Sequence, residues 1–211
     1  MYIPHVNAID DIGDIRAFVA AMRVAQLVTA DADGTPIATL LPVIWDGNRI
    51  VAHVARANTQ WRSITPSTVG LAIVTGPHAY ITPNWYPSKA EHGRAVPTWN
   101  YSAVHLTGPV TVHHEPDWLR DAVTRLTSLH ESGREHPWAV TDAPERYTAG
   151  QLRAIVGIEL TVTRIEAKAK MSQNRSEADR TGVIAGLRAE PDPAAHVVAE
   201  AVTDPRLVPG R

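Results

Sequence analysis

The spacing of apolar residues predicts an amphipathic helix near the start of the chain. Apolar side chains recur every three or four positions from Ile12 to Met22, and Asp10 and Asp11 precede them. This period is typical of a helix with one buried face, and carboxylates stabilise the positive end of its dipole. We therefore expect the first helix to follow this acidic pair.

Stretches rich in β-branched residues predict antiparallel strands over most of the remaining chain. Val24 to Ala30, Ile37 to Trp45 and Arg49 to Ala55 are separated by Asp-Gly turns, which are typical of hairpins. Residues 58–64 suit a single helical turn or two connecting strands. The later predicted segments are a strand from Val69 closed by Gly76-Pro77, an extended stretch over 78–85, a loop over 86–97, a long strand over 104–113 and a final strand over 156–162.

Helices are predicted beside these strands. The clearest follows Glu115-Pro116-Asp117, a second covers residues 147–155, and a weakly held helix with frayed ends is expected in the Pro- and Ala-rich tail. Short strands joined by hairpins over one core favour a mainly β fold of the α+β class, an antiparallel barrel with flanking helices.

Composition narrows the chemistry. The chain has 211 residues and a net charge of −2, so it lacks the overall basic charge that is typical of nucleic-acid-binding proteins. It has no cysteine, which excludes disulfides, thiol catalysis and iron–sulfur clusters, so redox chemistry would need a bound cofactor. The N-terminal residues carry no basic leader pattern and no apolar run is long enough to span a bilayer, so a cytoplasmic protein is expected.

Motifs for common catalytic sites are missing. The chain has no glycine-rich dinucleotide or phosphate loop and no zinc-protease motif. Neighbouring residues on a strand point to opposite faces, so the His113-His114 pair cannot chelate one ion, and no metal site is predicted. No side chain is identified as a catalytic acid, base or nucleophile.

Three clusters contain more polar and aromatic residues than packing requires. The first, at the end of a strand, contains His53, Arg56, Asn58, Gln60 and Trp61. An arginine there can bind a phosphate through two hydrogen bonds, with amide side chains completing the site. The alternative is a polar loop in which Trp61 covers the core.

The second and third clusters also allow two interpretations each. Residues 78–86 and 97–101 alternate aromatic side chains with Thr and Asn, which suits either a flat ring-shaped ligand or a dimer interface. Residues 168–175 place hydrogen-bonding side chains in a row after two lysines. The alternative for this third cluster is a helix N-terminus, with Ser176 and Asp179 spaced as in a capping box.

The order and spacing of these clusters resemble the PaiB family of FMN-binding negative transcriptional regulators. The resemblance covers Met1 to about Leu187. It is carried by the strings Met1 to Pro4, His53 to Asn58, Gly76 to Ile81, Trp85-Tyr86 with Lys89, Val96 to Tyr101, Ile155 to Gly157, and Ser172 to Arg175 followed by Asp179-Arg180 and Gly182-Val183.

This resemblance implies an antiparallel FMN-binding split barrel over residues 1–187, followed by a helical or flexible tail over 188–211. It implies a homodimer with flavin sites at or near the subunit interface. The residues implied at the phosphate and ribityl end are His53, Arg56, Asn58 and Gln60. Those implied around the flavin ring are Tyr80, Thr82, Trp85, Trp99 and Asn100. A third group, reaching the site from a neighbouring strand end or the other subunit, is Lys170, Gln173, Asn174 and Arg175.

The chain departs from the family pattern at three positions. Leu40 stands where the family commonly has a histidine, and Ala167 and Ala169 replace the usual Gly and Trp. The sequence is compatible with three functions. The resemblance favours an FMN-binding negative transcriptional regulator; the alternatives are a flavin-dependent oxidoreductase that uses FMN or a deazaflavin, and a cofactor-free protein that binds DNA or a regulatory partner.

Overall fold

The computed structural model describes residues 1–204, so residues 205–211 of the predicted tail lie outside the described residues. The helices are α1 Ile12–Met22, α2 Ser88–His92, α3 Pro116–Glu131, α4 Glu145–Arg153, α5 Glu177–Ala189 and α6 Pro193–Thr203. The strands are β1 Val24–Ala30, β2 Pro36–Pro42, β3 Ile44–Asp46, β4 Arg49–Ala55, β5 Val69–Ile81, β6 Thr98–His113, β7 Ile155–Thr161 and β8 Arg164–Lys170. Short 3-10 turns occur at His5–Asn7, Thr59–Ser63, Pro83–Trp85 and Val140–Asp142.

The strands form one sheet in the order β2-β1-β5-β6-β7-β4-β3, with β8 paired to β6. Over the described residues β2 and β3 stand at the two ends of this order, so the sheet is not closed. The registered pairs are antiparallel. The predicted fold class, an antiparallel β-structure of the split-barrel type with flanking helices, is therefore confirmed.

The chain divides into two compact units. The first unit contains Met1–Met22, Val74–His105 and the chain from Glu166 onward, and the second unit contains Arg23–Ile73 and Leu106–Ile165. Strands β5 and β6 contribute residues to both units.

The second unit is built on two hairpins. Strands β1 and β2 pair from Val24↔Pro42 to Ala30↔Pro36, and β3 pairs with β4. The single strand predicted over Ile37 to Trp45 is in fact two strands. They are separated by Val43, whose amide donates to the carbonyl of Arg23 at 2.9 Å, and Arg23 has a left-handed φ of 60° just before β1 begins.

In the second unit, helix α3 packs closely against β7 at a glycine. A Cβ atom on Gly157 would lie 2.2 Å from the indole of Trp118, so only glycine admits this ring. Trp118 in turn stacks on His113, with ring centroids 4.2 Å apart and planes 7° from parallel. The predicted helix after Glu115 is therefore confirmed, and it lies close against the sheet.

The first unit differs from the prediction at β5. The strand expected to close at Gly76-Pro77 continues to Ile81. Phe18 of α1 is fully buried, and a Cβ atom on Gly76 would lie 2.8 Å from its ring. Gly76 is thus a site of close packing within the strand, not a turn.

Strand β8 and helix α2 were not predicted. β8 follows the predicted final strand and runs into the segment from Lys168 onward, for which the polar residues predicted no strand. α2 lies in the predicted 86–97 loop and ends at Gly93, whose φ of 69° is left-handed. The N-cap alternative for Ser176 is confirmed, since its side chain accepts the amide of Asp179 at 3.2 Å. In the described part of the chain, no helix is long and apolar enough to cross a membrane.

Candidate functional site

Four of the thirteen predicted binding residues lie in the second unit and nine in the first. Of the four, Gln60 is the most buried, at 2% exposure. Its Nε2 donates to the Thr29 hydroxyl at 3.0 Å and to the carbonyls of Leu27 and Ile37 at 3.2 Å each. Its Oε1 accepts the Thr39 hydroxyl at 2.6 Å. The Gln60 amide therefore bridges β1 and β2, with both its nitrogen and its oxygen bonded within the protein.

Asn58 belongs to the same network. Its Oδ1 accepts the amide of Gln60 at 3.0 Å, which caps the Thr59–Ser63 turn, and its Nδ2 donates to Thr39 Oγ1 at 3.0 Å. Thr39 is thus the shared partner of both amide side chains. Sequence reasoning missed Thr39, although it lies within the Ala38 to Pro42 string beside the departure at Leu40.

Arg56 keeps part of its guanidinium available. Nε donates to the carbonyl of Arg153 at 2.7 Å and Nη2 to the carbonyl of Ile155 at 3.0 Å, which fixes the side chain at the end of α4. Nη1 makes no hydrogen bond to any described residue. The Trp61 indole donates to the Arg56 carbonyl at 3.0 Å, so the backbone here is also held. The positive charge is therefore positioned but not neutralised.

A basic cavity of about 270 Å³ adjoins Arg56. Arg120, Arg153 and His114 line it together with Arg56, and Leu119 and Leu152 supply apolar walls. Arg120 pairs with Glu145. His114 meets the Trp61 ring edge to face, with centroids 5.4 Å apart. The clustering of cationic side chains around one opening suits an anionic group with an apolar part.

His53 lines a different cavity of the second unit, of about 230 Å³. Val123, Trp138 and Ile155 contribute to its walls. Burial lowers the pKa of His53 below its ordinary value of 6.5, because an apolar environment disfavours the charged ring. Its Nδ1 is buried without a hydrogen-bond partner. His53 is therefore a neutral group beside an apolar space.

In the first unit, aromatic side chains line a cavity of about 340 Å³. Trp99 and Tyr80 lie with ring centroids 6.3 Å apart, and His78 lies 5.5 Å from Trp99. Tyr80 is 50% exposed and Trp99 45% exposed. Large aromatic faces are ordinarily buried, so this pair presents unusual apolar area.

Trp85 and Thr82 form another part of the wall. A Cβ atom on Gly186 would lie 2.3 Å from the Trp85 ring, and one on Gly182 would lie 1.9 Å from the Trp85 carbonyl oxygen. Trp85 thus packs against two glycines one helical turn apart on α5. Thr82 accepts the amide of Asn84 through its hydroxyl at 3.2 Å, which caps the Pro83–Trp85 turn.

Asn100 is completely buried. Its Nδ2 donates to the hydroxyl of Ser172 at 3.0 Å, and that hydroxyl lies 3.3 Å from Asn100 Oδ1. Ser172 has a left-handed backbone, with φ of 62°. Within the first unit, this pair joins β6 to the turn after β8.

The third predicted group is mostly occupied by internal contacts. Lys170 Nζ donates to the Thr98 hydroxyl, and Gln173 bonds to the backbone of Ala169 and Met171. Arg175 lies with its guanidinium carbon 4.5 Å from the centre of the Tyr86 ring. Asn174 is exposed.

Asp179 organises the polar contacts beside Arg175. Its carboxylate accepts the Ser88 amide at 3.1 Å and the Ser88 hydroxyl at 2.8 Å. Burial alone would raise the pKa of Asp179, but the hydrogen bonds from Ser88 and Ser176 and the charge of Arg175 outweigh it and lower the pKa. Burial of Tyr86 raises the pKa of its own hydroxyl, although the charge of Arg175 opposes that shift.

Residues 1–164 match the family model described as "Putative FMN-binding domain". The chain belongs to the PaiB-like family of FMN-binding domains. Over 208 residues it is 35% identical to the protease synthase and sporulation protein PAI 2 of Bacillus subtilis, with 97% of each chain covered. A second relative, an uncharacterised protein of Aspergillus fumigatus, is 35% identical over 148 residues, which is 63% of this chain and 57% of that protein. The predicted resemblance to the PaiB family is confirmed.

Solved structures show the fold of this PaiB-like chain. The FAD and heme binding protein of Mycobacterium smegmatis matches with a TM-score of 0.60 at 17% identity, covering 83% of this chain and 79% of that one. The flavocytochrome Anf3 of Azotobacter vinelandii matches with a TM-score of 0.58 at 15% identity, covering 84% and 76%. Family membership supports a flavin cofactor.

Proposed function

We propose that this chain is an FMN-binding regulatory protein of the PaiB type that acts as a homodimer. The observation that carries the proposal is the family match over residues 1–164, together with the near full-length similarity to PAI 2 of Bacillus subtilis. The side chains of the second unit supply an independent test of whether the chain fits an FMN phosphate.

The fit to a phosphate rests on Arg56. Its Nη1 group is free of bonds to described residues, and the cavity beside it carries the guanidinium groups of Arg120 and Arg153. Charge-assisted hydrogen bonds from arginine to phosphate are among the strongest polar contacts in proteins. In this proposal Arg56 binds the phosphate, while Asn58 and Gln60 position the strand end through Thr39 and the β1–β2 hairpin.

His53 has a different part in the proposal. Because burial keeps its ring neutral, it contributes no charge to a bound phosphate. It serves as a hydrogen-bonding group near the polar part of the cofactor or as a wall of its own cavity. The difference is measurable, since only the first role makes FMN affinity sensitive to substitution of His53.

The flavin ring requires flat apolar contacts. Tyr80 and Trp99 expose such faces in the first unit, and Thr82 and Trp85 line the same cavity. The buried Asn100 of β6 supports them through its hydrogen bond to Ser172. Bound FMN would supply reversible electron transfer. The part played by the chain is to hold the ring and exclude water.

Exposed apolar side chains support the dimer. Leu40 on β2 is 63% exposed, a high value for a leucine in a strand. It provides apolar surface that a second copy of the chain would cover. In this proposal the state of the flavin alters the dimer and thereby its regulatory contacts.

The experiment is a visible absorption spectrum of the purified protein before and after addition of FMN, with mass spectrometry of the ligand released on denaturation. We expect a flavin band that comigrates with the protein, and light scattering after gel filtration should give twice the mass of 22.9 kDa. A folded protein that neither carries nor takes up FMN would overturn the cofactor proposal. A monomer that binds FMN would overturn the dimer alone.

A further inference from the structure

The aromatic cavity of the first unit also has a distinctive charge. Besides His78, Tyr80 and Trp99, it is lined by Glu190 and Asp192. No lysine or arginine is among its lining residues. All of its lining residues belong to the first unit.

The two carboxylates are not neutralised by neighbouring cations. Neither Glu190 nor Asp192 forms an ion pair with a described residue. Oδ1 of Asp192 accepts a hydrogen bond from the amide of Ala194 at 2.9 Å, so Asp192 caps the N-terminus of α6. Glu190 is the residue at which α5 ends, where the partial charge of a helix is negative. The two exposed carboxylates therefore give the lining negative charge, which the positive N-terminal end of α6 offsets in part.

The lining of the same cavity also includes aromatic ring faces. Tyr80 and Trp99 are inclined by 56° with centroids 6.3 Å apart, so they form two walls of a corner. Ring faces carry negative electrostatic potential and attract organic cations, most strongly when carboxylates lie nearby. Both the rings and the carboxylates favour positive charge in the same cavity.

We propose that this cavity binds an organic ammonium cation, with its alkyl groups against Tyr80 and Trp99 and its charge facing Glu190 and Asp192. The cavity volume of about 340 Å³ is that of a small-molecule site. An anionic ligand group is disfavoured at this position, because it would face two carboxylates with no lining arginine or lysine to balance them. The ligand is not FMN, and the inference does not rest on flavin binding. Because Tyr80 and Trp99 are also the proposed contacts of the flavin ring, the two ligands would compete for these ring faces.

The test compares a cation with a neutral molecule of the same shape. Choline chloride and 3,3-dimethylbutan-1-ol differ in charge but little in size. Each is titrated by isothermal calorimetry into the full chain from which flavin has been removed. We expect choline to bind at least about tenfold more tightly than the alcohol. Equal affinity for the two, or no binding of choline at millimolar concentration, would overturn the proposal.

Matched variants locate the binding. Tyr80→Ala and Trp99→Ala should each weaken choline binding by about tenfold, whereas Tyr2→Ala, which removes an exposed tyrosine elsewhere in the first unit, should not. Asp192→Asn removes the charge and keeps a good helix cap, and with Glu190→Gln it should abolish the preference for choline. Retention of that preference in the double variant would overturn the assignment.

A further variant separates this proposal from the FMN proposal. Arg56→Ala changes a residue of the second unit, so in flavin-free protein it should leave choline affinity unchanged while it weakens FMN binding. Loss of choline binding in a folded Arg56→Ala protein would contradict a site confined to the aromatic cavity.

Discussion

Asn100 and Ser172 are joined by side-chain hydrogen bonding in the interior of the first unit, with Asn100 Nδ2 donating to Ser172 Oγ at 3.0 Å. Both side chains are almost fully buried. The bond holds Ser172 in a left-handed conformation that a non-glycine residue adopts at a cost. Asn100, implied by the resemblance as a ring contact, thus has a structural partner of its own.

Asn100→Ala should lower the free energy of unfolding by about 1–3 kcal/mol, because the Ser172 hydroxyl is left buried without its partner. Urea unfolding in the absence of added flavin measures this directly. Asn174→Ala is the matched control, since Asn174 is exposed and the change should stay within about 0.5 kcal/mol. Equal stability of the two variants would show that the buried bond contributes little.

Gln60→Ala should be destabilising by about 2–4 kcal/mol. The change removes the amide that Thr29, Thr39 and two backbone carbonyls share, so several buried polar groups lose their partner. Thermal and urea unfolding both report the loss. The exposed Gln151→Ala provides the comparison, and a loss no larger than in that variant would contradict the bridging role.

Arg56→Ala should weaken FMN binding by about 10- to 150-fold, the value of one charge-assisted hydrogen bond to phosphate. Quenching of FMN fluorescence in a titration gives the dissociation constant. Arg56→Lys keeps the charge but not the planar set of donors, so an intermediate affinity is expected. Because Arg56 also bonds two carbonyls, circular dichroism must confirm folding, and unchanged affinity in folded Arg56→Ala excludes the phosphate role.

The buried ring of His53 should make the protein less stable as the pH falls below 6.5. Its pKa is lowered in the folded state, so the unfolded chain takes up a proton first and is favoured by acidification. His53→Gln should therefore lose less stability than the original protein between pH 7 and pH 5. His136→Gln, at a side chain 92% exposed, should not alter the pH dependence. Parallel curves for all three proteins would refute the effect.

The lowered pKa of Asp179 predicts a second pH dependence of stability, in a more acidic range. Its pKa is lowered from 3.8 in the folded state, so its contribution is complete above that value and is lost as the pH falls through the native pKa. Asp179→Asn should reduce the loss of stability on acidification below about pH 4. Asp10→Asn, at an exposed carboxylate, is the control. Identical acid unfolding of the original and Asp179→Asn proteins would count against the network around Ser88.

The strand-end cluster shows what sequence can and cannot predict about the site. The types of residue at Arg56, Asn58 and Gln60 predict a phosphate site or a polar loop, and the phosphate site stays a prediction. Their partners did not follow from the sequence, because Thr29 and Thr39 lie on a hairpin that reaches Gln60 only after folding. Whether a buried amide side chain bonds to a ligand or to other residues of the chain depends on such groups, which are distant in sequence.

The fold was predictable wherever local patterns decided it. The hairpins, α1 and α3 follow from turn residues and periodicity. The continuation of β5 past Gly76 depends on Phe18 of α1, and β8 depends on Tyr101, which accepts a hydrogen bond from the buried Lys168 at 2.6 Å. These elements are set by tertiary contacts that a local pattern does not contain.

The contact between Trp85 and the two glycines of α5 has an evolutionary consequence. Because a methyl group at position 186 would overlap the indole ring, the sizes of residues 85 and 186 are constrained together. Relatives that keep a tryptophan at position 85 should keep glycine at 186, and relatives with a small residue at 85 should tolerate bulk at 186. The two positions should therefore covary across the family, which gives a genetic record of this packing that is independent of any ligand.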